Sequence, residues 1–156
     1  MIPPLEQLKQ TIEAAVPGAA LVIEGSALIV LAEKLTAVAQ FMRDDAALGL
    51  DFLSSVTAAD YPPERIEVVY HLFSIAHKHG PVVLKVKLPR ENSKVASLVP
   101  LWRSAEFQER EVYDLYGVTF DGHPDLRRIL MWDEFEGFPM RKDYKHEDQD
   151  TVETQA

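Results

Sequence analysis

Glu109 occupies the position in this sequence where chemistry would be least expected by chance. On a helix ending before Gly117, Leu98, Leu101, Trp102, Ala105, Val112 and Tyr116 recur at steps of three and four on one apolar side, and Glu109 falls inside that stripe. A carboxylate in such a place must find a partner or shift its pKa. It could serve as a general acid or base, or it could pair with an arginine such as Arg127 or Arg128. The ion pair is the expectation, because no nucleophile or second catalytic group is placed beside it. An acid–base set of Glu109, His123 and Asp125 would need a pocket in the isolated chain. Glu106, Arg110 and Asp114 follow one another at i,i+4 steps on a polar side of the same helix. Such a row supports a helix and could also face a partner.

The remaining candidates are weaker. His77 and His79 would share a face of a strand, but they adjoin Gly80-Pro81 at an expected hairpin tip and no third ligand is indicated. In Asp121-Gly122-His123-Pro124-Asp125-Leu126-Arg127-Arg128, His123 before a proline reads as a turn residue. Arg127 and Arg128 lack the Gly-rich loop that a phosphate site would add, so an anionic partner surface fits them better. No P-loop, G-x-G-x-x-G, nucleophile elbow or H-E-x-x-H is present. The absence of cysteine removes thiolate nucleophiles, Cys zinc sites and Cys-ligated iron–sulfur clusters. The expectation is therefore that this chain carries no catalytic, cofactor-binding or metal site of its own.

The elements that must hold these residues are legible from periodicity. Leu5, Leu8, Ile12 and Val16 predict a helix closed by Pro17-Gly18. Ala20 to Glu24 and Ala27 to Leu31 predict a hairpin around Gly25-Ser26. Leu35, Val38, Ala39 and Met42 stripe a helix within Ala32 to Leu48. Leu50 to Val56 reads as a strand. Arg65 to Ile75 is a stronger one, with Ile66, Val68, Tyr70 and Leu72 on one face and Val69 and Phe73 on the other, a pattern that suits cover on both sides. His77 to Pro81 predicts a turn, and Val82, Leu84, Val86 and Leu88 alternate with outward Lys85 and Lys87. A long helix, broken or begun at Pro100, runs to about Tyr116. After Gly117 periodicity fades into a charged, irregular stretch punctuated by Gly122, Pro124, Gly137 and Pro139.

This order predicts an α+β domain with helices packed on a mostly antiparallel sheet, followed by a long helix and an irregular C-terminal extension. Residues 1–100 form the α+β domain, 101–144 the helix and an extended partner-docking segment, and 145–156 an acidic tail expected to lack fixed structure. At 156 residues, one core is sustainable and two are not. The net charge of -9 argues against a nucleic-acid partner. The acidity concentrates after Trp102, where carboxylates outnumber cations two to one. No apolar run approaches the length of a membrane span, and Met1-Ile2-Pro3-Pro4 lacks the features of a signal peptide. Membrane association is expected only through a partner. A segment rich in Arg, Tyr, Trp and Phe yet poor in regular structure fits a surface made for another protein.

The stretch from Glu109-Arg110-Glu111-Val112-Tyr113-Asp114-Leu115-Tyr116-Gly117 through Val118-Thr119-Phe120-Asp121-Gly122-His123-Pro124-Asp125-Leu126-Arg127-Arg128-Ile129-Leu130 closely resembles the NuoC family, the C subunits of bacterial NADH-quinone oxidoreductase (respiratory complex I). Glu136-Gly137-Phe138-Pro139-Met140-Arg141-Lys142-Asp143-Tyr144, Val68 to Ser74 and Leu84 to Lys87 continue the resemblance, which spans residues 60 to 144. Phe107 stands where the family pattern leads one to expect Trp, and the turn after Ser74 lacks an expected arginine. The resemblance implies a scaffold in the hydrophilic arm, peripheral on the cytoplasmic face of the bacterial inner membrane. It implies partners in the hydrogenase-like large subunit (NuoD-like) and the cluster-bearing NuoB-like and NuoI-like subunits. FMN and iron–sulfur clusters would reside in those other subunits and none here. Related domains in membrane-bound hydrogenase and formate hydrogenlyase complexes, and an adaptor for another complex, are the rival settings. The expected docking residues are Glu109, Arg110, Glu111, Asp114, Gly117, Phe120, His123, Pro124, Asp125, Arg127, Arg128, Arg141, Lys142, Asp143 and Tyr144, with Arg127, Arg128 and Arg141 paired to carboxylates.

Overall fold

Alternating apolar side chains build the sheet, and three helices cover what they expose. In the computed structural model, which describes residues 2–146, the elements are α1 (Leu5–Ala15), β1 (Val22–Glu24), β2 (Ala27–Ile29), a 3-10 turn (Ala32–Lys34) leading into α2 (Leu35–Asp44), β3 (Phe52–Tyr61), β4 (Arg65–Ser74), β5 (His79–Pro89), β6 (Lys94–Ala96), α3 (Ala105–Tyr116) and β7 (Thr119–Asp121). The register of β4 against β5 sets Ile66 beside Leu88, Val68 beside Val86, Tyr70 beside Leu84 and Leu72 beside Val82. All eight are buried, and each of the seven aliphatic ones stabilises the fold by about 1.5–3 kcal/mol as it leaves water. Leu8 and Ile12 of α1 and Leu35, Val38, Ala39 and Met42 of α2 are fully enclosed in the same core.

The five-stranded sheet has the order β1-β2-β5-β4-β3. It is antiparallel throughout except where β2 runs parallel to β5. The expected α+β architecture with a mostly antiparallel sheet is what forms. On the opposite face of β4, Val69 and Phe73 are only half-buried, so cover on both sides is incomplete.

Several boundaries differ from the sequence reading. The strand expected over Leu50 to Val56 continues to Tyr61, because Thr57 to Tyr61 pair in register with Val69 to Arg65. The helix expected over Ala32 to Leu48 ends at Asp44, where the Asp45 carboxylate accepts from the Ala47 and Leu48 amides and makes a turn. His79 belongs to β5, and the turn falls on residues 75–78. The last helix starts at Ala105, since residues 98–104 form turns stitched by Trp102 and Leu101 amides to the Leu98 carbonyl.

The parallel pair β6–β7 was not anticipated. It matters for the division at residue 100. Trp102, Ala105, Val112, Val118 and Phe120 share one continuous core with Leu8, Leu28 and Leu84. Helix α3 and β7 thus complete the domain, and the chain leaves its body only after Asp121. The acidic tail expected over 145–156 falls almost wholly on residues 147–156, outside the described residues.

Candidate partner-docking site

The C-terminal end of α3 organises everything after it. A helix leaves its last four carbonyls without intrahelical partners. Here each finds one. Gly117 donates its amide to the Tyr113 carbonyl, Arg128 Nη1 donates to that of Asp114 at 3.0 Å, the Met140 amide donates to that of Leu115, and Arg141 Nε donates to that of Tyr116 at 2.7 Å. Two of the four donors are arginines, which also suit the negative end of the helix dipole. Gly117 adopts φ 74°, and a Cβ there would come within 2.5 Å of the Phe138 ring. Both the left-handed turn and the closeness of Phe138 demand glycine.

Asp114 is the node of this segment. Its side chain is fully enclosed. It accepts from Arg128 Nη1 at 2.7 Å and from the amides of Ile129, Leu130 and Met131 at 3.0, 2.7 and 2.9 Å. Burial alone would raise its pKa, but the Met131 amide, Arg128 and the other two amides together hold it below the ordinary carboxylate value. Arg128 turns its second nitrogen to the Phe135 and Gly137 carbonyls and lies over the Phe135 and Phe138 rings. Arg110 clamps the preceding stretch, donating to the Arg127 and Arg128 carbonyls. Residues 122–146, hereafter the strap, are therefore folded around three charged side chains with almost no regular structure.

A second anchor was not legible in the sequence. Asp60, nearly enclosed at the end of β3, is held by Arg90 at 2.7 and 3.1 Å and accepts the Lys142 amide at 2.8 Å. Arg90 depresses the Asp60 pKa, against burial. Arg90 also donates to Asp143. These partners lie 30, 53 and 82 residues apart, so no local pattern could announce them.

Glu109 does not pair with an arginine. Its carboxylate accepts from Ser97 Oγ at 2.6 Å and from the Leu98 amide at 2.7 Å. Arg127 instead pairs with Asp125 on the surface, and Arg128 with Asp114. Burial raises Glu109 to about 7, the two hydrogen bonds opposing it. The Tyr70 hydroxyl, also enclosed and without a hydrogen-bond partner among the described residues, is raised well above its ordinary value by burial and by Glu109. Glu109 is 0% exposed. His123 accepts the Asp125 amide on Nδ1 and holds the Glu106 carbonyl through Nε2. His123 meets Asp125 through the Asp125 backbone amide, and among the described residues no hydrogen bond joins either of them to Glu109. His77 and His79 stack with centroids 5.6 Å apart, and among the described residues no group of three or more His, Cys, Asp or Glu could hold a metal.

The expected docking residues divide in two. Glu109, Arg110, Asp114 and Phe120 are buried by this chain itself, and Arg128 is turned inward, so they shape the segment rather than present it. The polar row Glu106, Arg110, Asp114 is accordingly no solvated face. Arg141 meets the Tyr116 carbonyl and the Phe138 ring, not a carboxylate. Glu111, Pro124, Asp125, Arg127, Lys142 and Asp143 are exposed, and His123 and Tyr144 partly so. Three apolar residues outside the expected docking set belong to this surface. Leu130, Trp132 and Met140 are 55%, 41% and 52% exposed, an outlay of apolar area that a segment with so little core does not otherwise need. Trp132 and Phe138 also line an open depression of about 610 Å³ together with Arg141, Asp143 and Tyr144. No helix among the described residues is long and apolar enough to cross a membrane.

The structure is an α+β body that carries a folded strap over residues 122–146 with an exposed apolar surface. The chain belongs to the family described as respiratory-chain NADH dehydrogenase, 30 Kd subunit, whose model matches residues 28–150. It is 46% identical over 124 residues to the C subunit of NADH-quinone oxidoreductase from Moorella thermoacetica, covering 79% of this chain and 82% of that one. It is 44% identical over 110 residues to the corresponding protein of Chloroherpeton thalassium and 46% identical over 114 residues to one from Rhizobium meliloti. The matches span only 45% and 62% of the length of those two relatives. Among solved structures it resembles Nqo5, a trypsin-resistant fragment of residues 1–134, with TM-score 0.60 at 33% identity over 78% of this chain and 98% of that one. The fold also occurs in the structure of an archaeal membrane-bound sulfane sulfur reductase, with TM-score 0.72 at 24% identity over 90% of this chain and 85% of that one.

Proposed function

We propose that this chain is a cofactor-free structural subunit in the hydrophilic arm of a proton-translocating NADH-quinone oxidoreductase, peripheral on the cytoplasmic face of the membrane. The strap would dock on a hydrogenase-like large subunit, near cluster-bearing subunits that hold the iron–sulfur groups, with FMN elsewhere in the assembly. The observation that supports this most is the pairing of an exposed apolar surface, Leu130, Trp132 and Met140, with an enclosed polar scaffold centred on Asp114 that fixes its shape. The fold alone does not fix the reaction of the complex, since it also occurs in the structure of a sulfane sulfur reductase.

The test is recovery of the tagged chain from gently solubilised membranes, with mass spectrometry and NADH:quinone activity of the eluate. A hydrogenase-like large subunit, cluster-bearing subunits and quinone-dependent NADH oxidation are the expected result. Partners of a nickel–iron hydrogenase would move the chain to a sister complex. A lone monomer would overturn the scaffold reading. The inward course of Arg128 changes what one variant reports: Arg128→Ala unravels the strap within the chain as well as weakening assembly, whereas Trp132→Ala tests the docking surface with the node intact.

A further inference from the structure

Strand β3 lies at the edge of the sheet, with β4 on one side and, among the described residues, no strand on the other. In an antiparallel strand the amide and carbonyl of one residue point the same way, and the direction alternates along the chain. The Val56 amide points outward, because it donates to the Gln108 side chain at 2.8 Å. The register is regular from Ser55 to Tyr61, so Ala58 and Asp60 point outward too. One end of this edge is closed by side chains, and the strap flanks the other. Ser104 Oγ donates to the Leu53 carbonyl and Gln108 occupies the Val56 amide, and at the far end the strap passes Asp60, its Lys142 amide donating to the Asp60 carboxylate rather than to the strand backbone. Between those two ends, the Ala58 amide and carbonyl have no hydrogen-bond partner among the described residues.

Alongside this opening runs a groove of about 180 Å³, lined by Val56, Ala58, Val112, Leu115 and Met140, with Glu111 in the same wall. Glu111 is exposed and forms no ion pair among the described residues. An edge left open is a template for another chain, and proteins ordinarily close or charge it. Here side chains close the edge at Leu53 and Val56 and leave it open at Ala58. A donor and an acceptor at strand spacing, an apolar trough and a lone carboxylate together describe one kind of occupant.

We propose that the edge of β3 between Val56 and Asp60 is a strand-addition site for a short extended segment of a partner protein, with its backbone on Ala58, an apolar side chain in the groove and a Lys or Arg against Glu111. This rests on the reading of the chain as one part of a larger complex. Main-chain hydrogen bonds would supply the contact, and the groove and Glu111 would supply the selectivity.

Hydrogen exchange on the isolated full chain and on the assembled complex tests this directly. The Ala58 amide is expected to slow at least about tenfold on assembly, which corresponds to about 1.4 kcal/mol of protection. Ala58→Pro removes only an outward amide, a place where an edge strand tolerates proline. It should leave the thermal midpoint of the isolated chain near that of the parent and lower recovery of the complex about tenfold, again about 1.4 kcal/mol. Glu111→Lys, an exposed change that spares the strand, should also weaken recovery, which keeps the test decisive if the proline variant misfolds. If the complex forms, the strap becomes protected and the Ala58 amide exchanges as fast as before, the strand-addition site is wrong and the scaffold role stands. If no complex forms with the parent chain, both fall.

Discussion

Asp114 and Glu109 sit five residues apart on one helix, and both are fully enclosed, yet their environments push them in opposite directions. Asp114 receives one guanidinium and three backbone amides and stays ionised. Glu109 receives one hydroxyl and one amide, with an unpartnered tyrosine nearby, and burial wins. Enclosure does not decide the protonation of a carboxyl; the number of donors aimed at it does. The contrast extends to the two regions they serve. Around Glu109 the body is held by apolar burial, and a protonated carboxyl is tolerable there. Around Asp114 the strap has little core and is held by charge.

That contrast can be broken most forcefully at Asp114. Asp114→Ala leaves the Arg128 guanidinium without its carboxylate, which costs roughly 3–5 kcal/mol for a buried pair. The loss should appear as rapid hydrogen exchange at Ile129, Leu130 and Met131 and as early trypsin cleavage after Arg127 or Arg128, with the sheet amides still protected. Leu84→Ala, at a fully enclosed site, should cost about 2–5 kcal/mol and act the other way. It lowers the main calorimetric transition without singling out the strap.

The pH dependence sharpens the comparison, because the two signs differ. Glu109 binds its proton more tightly folded than unfolded, so its contribution is greatest below about 4.5 and is lost as pH rises through about 7. Glu109→Gln should therefore abolish a loss of about 1–3 kcal/mol in body stability between those limits, measured by denaturant titration. Asp114 and Asp60 are depressed, so their stabilisation is full above the ordinary carboxylate range and disappears as pH falls below it. Acid should free the strap first. The smallest effect is expected at Arg127→Ala, within about 0.5 kcal/mol by thermal melting, because its pair with Asp125 is solvent-exposed. Adjacent arginines thus differ by nearly the whole range. A large effect at Arg127 would undo the division between inward and outward charge.

How far the sequence reached follows the same division. Elements built on short-range periodicity were readable: the 3.6 stripe of Leu35, Val38, Ala39 and Met42, and the alternation from Val82 to Leu88, lie where they were expected. The tertiary partners of charged residues were not. Glu109 was recognisable as out of place, but its partners, Ser97 and the Leu98 amide, look unremarkable in one dimension. The short pair β6–β7 carries too few residues to show a period. Asp60 and Arg90 sit in stretches whose own patterns give no hint of the strap. Arg128 was singled out, but which way it faced depended on the turn that lays Ile129 to Met131 over the end of α3.

The four-way closure of the α3 carbonyls has one further consequence. Ordering a residue from a free chain costs about 1–2 kcal/mol in backbone entropy, and a segment that orders only on binding carries that cost into its affinity. The strap meets it during folding, through Gly117, Arg128, Met140 and Arg141. Association with a neighbour would then proceed as the meeting of two set shapes, with an entropy change dominated by released water rather than by arrested chain.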